Sequence, residues 1–153
     1  MYGPLLVIHS LLRWAVILLG LYVIVRAYRG RFTFGWWGRA EGRAGLLYVM
    51  ALDLQVTVGF IIYLLFSPMT MGAVRNLGVA MSDRTLRFWT VEHATLMILA
   101  LVIAHVGRAR IRNATEDRRR YGRAALYYTV SWLLVLAGTP WPFLSYGRPL
   151  LRW

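Results

Sequence analysis

His9, His93 and His105 are the three histidines of the chain, and each stands in a long apolar run, where an ionisable group is costly. An imidazole offers a lone pair to a metal, or a site for a proton, near neutral pH. The same runs hold few charged residues: Arg13, Asp53 and Glu92. The chain has no cysteine, which excludes thiolate metal sites, iron–sulfur clusters, disulfides and covalently attached haem.

The elements that must position these residues are four runs, residues 5–25, 45–66, 88–106 and 124–143, each about 20 residues and so long enough to cross a hydrocarbon layer roughly 30 Å thick. Hydrophobic residues make up 59% of the chain and the mean hydropathy is +0.53, too apolar for a water-soluble domain of this size. The expected fold is all-α: a single domain, residues 1–153, forming an antiparallel bundle of four transmembrane helices. Trp36, Trp37, Trp89, Trp141, Tyr146 and Trp153 gather near the ends of the runs, as aromatic belts do. The opening residues carry no basic segment and no small-residue cleavage site follows, so the first run is expected to be a retained helix.

Arginines set the expected orientation. Residues 26–44 hold five and residues 107–123 hold seven, against three in residues 67–87. The first and third connections are therefore expected in the cytoplasm, with both termini periplasmic, in a multi-pass protein of a bacterial inner membrane. The formal charge of +12 does not point to nucleic acid, because the arginines sit in short connections without a basic helix or zinc module. Their expected partner is the bilayer's anionic headgroups. Ser67-Pro68 is the expected stop of the second helix, Ser82-Asp83 the cap of the third, and Gly138, Pro140 and Pro142 the break in the fourth.

A helical rise of about 1.5 Å per residue places His9 roughly 6 Å and His93 roughly 7–8 Å below the same outer edge. Two neutral imidazoles at one level are what an axially ligated haem requires. Gly20, eleven residues after His9, and Ala100 and Ala104, seven and eleven after His93, thin the faces below them and leave room for a flat ring. His105 lies about 120° around the helix from His93 and shares no such face. One bis-histidine haem b is expected, with His9 and His93 on the iron. Propionates would turn outward to Arg84, Arg87 and Arg148.

Arg13 and Asp53 come within about 6 Å in depth and are expected to pair, locking the first two helices or relaying charge beneath the cofactor. Glu92 points about 100° away from His93, toward the rim arginines or toward proton uptake linked to a quinol. A bare divalent metal is the chemical competitor, since His9, His93, Glu92 and Asp53 are acceptable ligand types, but Asp53 lies too deep to join the others. No nucleophile–base arrangement, phosphate loop or dinucleotide motif is present.

The segments 9–14 (HSLLRW), Leu54-Gln55 with Gly59, 87–93 (RFWTVEH), 140–143 (PWPF) and Arg148-Pro149 resemble those of small four-helix membrane proteins of the Bacteroidota described as "cytochrome b"-like. The likeness extends over nearly the whole chain. It implies a haem-b membrane protein with His9 and His93 as candidate ligands, although some members carry histidine where this chain has Asp53. The expected function is electron transfer, as a carrier or as a subunit of a redox complex with a possible quinone partner, rather than stand-alone catalysis. The alternative is a cofactor-free accessory or structural subunit of a larger membrane complex; under either reading the expected partner beside the bilayer is a larger membrane complex or a second copy of the chain.

Overall fold

The computed structural model describes residues 2–151 and is helical throughout, with no strand among the described residues. Trp153, expected in an aromatic belt, lies outside the described residues. Helix α1 spans Tyr2–Phe32. Helix α2, Arg39–Ile61, continues through a wide π turn, Ile62–Phe66. The short helices α3, Pro68–Arg75, and α4, Leu77–Ser82, follow, and then α5, Arg84–Arg87. A second π turn, Phe88–Glu92, leads into α6, His93–Arg112, and α7 covers Asp117–Gly138.

The breaks follow local chemistry. Ser67 accepts a hydrogen bond from the Thr70 amide, with Pro68 in the first turn of α3, so one residue ends the second span and caps the next helix. Asp83 caps α5, accepting from the Leu86 amide at 2.7 Å. The chain leaves α7 at Thr139, ahead of Pro140, which can supply no amide to a further turn. The fourth helix is thus displaced toward the N-terminus of its expected range, and residues 139–143 form turns.

Three segments are long and apolar enough to cross a membrane: Tyr2–Phe32, Arg39–Phe66 and Arg84–Arg112. Helix α7 is not among them, since tyrosines and arginines dilute its apolar residues. Its contacts nonetheless make it a full member of the packing. Gly20 of α1 lies against Trp132 and Gly30 against Tyr121, so α1 and α7 run antiparallel. The Ser131 hydroxyl donates to the Ala100 carbonyl at 2.8 Å and Gly107 abuts Tyr127, which fixes α6 and α7 in the same way. Arg26 meets Glu41, and His9 meets Gln55, across α1 and α2. The Tyr63 hydroxyl donates to the Thr90 carbonyl at 2.6 Å across the second and third spans.

α1 and α6 therefore face each other diagonally, with α2 and α7 between them. The core is small and tightly filled: Val16, Tyr48, Leu52, Ala100, Ala104 and Ser131 are inaccessible. Large apolar side chains point outward instead, among them Leu18, Leu54, Leu64, Val102 and Leu133. An apolar exterior around a core in which small alanine and serine residues sit at the closest helix contacts is the pattern of helices that pack inside lipid.

Candidate functional site

His9 on α1 and His93 at the start of α6 meet across the diagonal, with ring centroids 6.5 Å apart and planes at 71°. The helical rise explains their common level. The second π turn sets the entry of α6, and the Tyr63–Thr90 hydrogen bond ties that turn to the end of the second span. Wide turns of this kind are common at functional sites, since they re-aim one side chain without ending the helix.

Each imidazole is held by one nitrogen. His93 Nδ1 lies 2.7 Å from the Gly138 carbonyl, so the ring donates there, and Nε2 takes no hydrogen bond among the described residues. His9 Nε2 lies 3.3 Å from the Gln55 amide, whose Oε1 is buried without a partner. Exchanging the amide's oxygen and nitrogen lets His9 Nε2–H donate to Gln55 Oε1. His9 Nδ1, buried without a partner, then carries the lone pair. Gly59 makes the seat for this ring, because a Cβ there would stand 3.0 Å from His9 Cε1.

Two imidazoles, each with one nitrogen left free, would suit an iron that takes a nitrogen from each. With metal–nitrogen bonds of about 2.0–2.1 Å and each ring nitrogen about 1.1 Å from its centroid, two imidazoles on one metal stand about 6.3 Å apart. Anchoring one nitrogen to a carbonyl oxygen and leaving the other free is how ligating histidines are oriented. Room is tighter. A cavity of about 150 Å³ borders both rings, and a further void of about 40 Å³ adjoins them between α2 and α6. The larger one suits a single six-membered ring, whereas a macrocycle needs several hundred Å³. Seating one requires the flexible Met97, which lines both voids, to withdraw while Gln55 stays on His9.

Several expectations are corrected. Gly20 does not make room for a ring, since Trp132 and Tyr48 occupy its space, with the Trp132 indole donating to the Ile17 carbonyl at 2.9 Å. Ala100 and Ala104 are likewise sealed against helix packing. The open space lies instead at the histidine level and toward the nearer end of the bundle, bordered by Tyr2, Thr70, Pro140 and Pro149. Arg13 and Asp53 do not pair. The Asp53 carboxylate meets His105 Nε2 at 2.8 Å, while Arg13 donates to the Leu150 carbonyl.

Among the four arginines placed at the site, Arg13 and Arg148 line the cavity and Arg84 and Arg87 do not. Arg87 pairs with Glu92 at 2.7 Å, and Arg84 lies over the Tyr146 ring. Arg148 lies over the Trp89 ring, 5.2 Å from its centroid. Residues 139–151 form a strap across the cavity, held by Arg13, by the Trp14 indole on the Leu150 carbonyl at 2.8 Å, and by Tyr146 stacked on Phe88 at 3.8 Å.

Gln55, Gly59 and Tyr63 were missed as site residues. Their signal is visible in the sequence: a polar or small residue every fourth position along one face of the second span, a spacing that puts all three on one side. No three His, Asp or Glu side chains converge among the described residues, so a bare metal would have only the two imidazoles. No family model matches the chain, and neither a curated protein nor a solved structure matches it.

Proposed function

We propose that the chain is a b-type haem protein of a bacterial inner membrane, carrying electrons within the bilayer or within a larger redox complex. In this reading all four long helices cross, both termini and residues 67–87 are periplasmic, and one haem is held by His9 and His93. The resemblance to "cytochrome b"-like membrane proteins points the same way. The observation that carries the reading is the pair of imidazoles 6.5 Å apart, each anchored by one nitrogen.

A bound haem would supply a one-electron couple. The chain's own residues do the rest. Gln55 and the Gly138 carbonyl fix the ring orientations, Arg13 and Arg148 offer cations to acidic groups in the cavity, and the strap shields the cavity from water. A quinol is the natural electron donor for such a protein in lipid.

The test is the visible spectrum of the purified, dithionite-reduced protein. A sharp α-band is expected, lost in both His9→Ala and His93→Ala. A colourless wild-type protein that takes up no added haemin would overturn the assignment.

One observation favours the second reading, a cofactor-free accessory subunit. The Asp53–His105 pair sits on the outer face of α2 and α6 with side chains 44% and 52% exposed. A charge facing lipid costs at least ~2.5–3.5 kcal/mol, so a partner chain or second copy would relieve it by covering the pair. Cysteine cross-linking from Leu54→Cys, an exposed neighbour of Asp53, separates the two states. Disulfide dimers in native membranes support a second copy, and their absence together with a full haem complement leaves the first reading alone.

A further inference from the structure

At the end of the molecule opposite the histidines, the start of α2, the end of α6 and the start of α7 border an open cleft of about 510 Å³. Five guanidinium groups line it: Arg39, Arg43, Arg108, Arg112 and Arg120. Two carboxylates lie close, and both are engaged. Glu41, which also lines the cleft, takes Arg26 and the Gly38 amide. Asp117 takes Arg120 at 3.1 Å. Arg108 donates to the Gly42 carbonyl at 3.4 Å. Arg39, Arg43 and Arg112 have no carboxylate within ion-pair distance among the described residues. Positive charge is concentrated in a space with the volume of a small-ligand site, and the protein's own acids do not neutralise it.

We propose that this cleft binds a phosphate group, supplied by an anionic phospholipid whose headgroup enters between the helices. Guanidinium groups recognise phosphate oxygens in a planar, two-pronged geometry that ammonium groups do not reproduce. Basic cavities between transmembrane helices bind phospholipid headgroups on this principle. The exit path favours the lipid as the source. Leu46 forms part of the wall, and the exposed Leu47 and Met50 continue down the outside of α2, a track for an acyl chain. Trp37, which also lines the cleft, packs edge-on against Tyr121 and is of a residue type suited to the headgroup level. The inference rests on helices crossing a membrane and is independent of any haem.

The test uses the full chain in detergent with native mass spectrometry, titrating phosphatidylglycerol and phosphatidylcholine in parallel and adding inorganic phosphate as competitor. Phosphatidylglycerol is expected to bind about thirtyfold more tightly than phosphatidylcholine, the effect of roughly two uncompensated arginines near a headgroup. The double variant Arg43→Gln/Arg112→Gln is expected to lose most of that preference. Arg118→Gln/Arg119→Gln removes the same charge outside the cleft, where Arg118 lies on Phe34 and Arg119 on Glu116, and is expected to keep it.

Millimolar phosphate that displaces the lipid would assign the site to free phosphate through the same recognition chemistry. Equal binding of the two lipids by the wild-type protein overturns the proposal, and this measurement does not depend on the variants folding. Equal loss in both double variants overturns it as well.

Discussion

Gln55 controls which nitrogen His9 presents. Its amide is buried beside the ring, and no other described residue holds His9 Nε2. Under the haem reading, Gln55→Leu keeps the volume close and removes the anchor, so the imidazole can rotate away from the iron. Loss of a partner behind a ligating histidine typically weakens metal affinity 10–100-fold. A haemin titration of the purified variant is expected to show that loss without loss of the folded protein. The level of His9 and His93 was readable from the sequence, because rise per residue and the start of each apolar run fix depth. What occupies each helix face was not. Gly20 reads as empty space until Trp132 and Tyr48 are known to fill it, and Asp53 was matched to Arg13 on depth alone although helix rotation gives it to His105.

At the level of elements, the two π turns and the strap define the end of the molecule that holds the histidines. The short helices of residues 67–87 were expected only as a connection, since helices of six or eight residues carry too little periodicity to be read. The strap was legible only as a helix break at Pro140. Its course back over α1 depends on Arg13 and Trp14 reaching the Leu150 carbonyl, contacts 136 and 137 positions apart in sequence. A hydrogen bond from a charged donor is worth about 1.5–3 kcal/mol. Arg13→Gln is therefore expected to open the strap at least about tenfold more often. Limited chymotrypsin digestion, followed by mass spectrometry of the fragment released after Tyr146, measures this. An unchanged cleavage rate would mean that the Phe88–Tyr146 stack alone holds the strap.

For the molecule as a whole, α7 is the telling element. By composition it falls short of the three spans, yet several of its polar groups find partners inward: Ser131 bonds both the Tyr48 hydroxyl and the Ala100 carbonyl, and Tyr121 donates to the Trp36 carbonyl. A helix whose polar side is covered by α1 and α6 needs less average hydropathy to sit in lipid than one that faces it all round. If α7 crosses, the connections carrying most of the arginines share one side, and both chain ends lie on the other. The lack of cysteine makes this directly testable with single thiols. Gly3 and Gly72 have nothing within 4 Å of an added Cβ, so cysteine is accommodated at both. Gly3→Cys and Gly72→Cys are expected to react with a membrane-impermeant maleimide in intact spheroplasts. Arg118→Cys, at the exposed start of α7, is expected to react only after the membrane is opened. Labelling of Arg118→Cys from outside, with Gly3→Cys protected, would invert the molecule and put the histidine cavity on the cytoplasmic side.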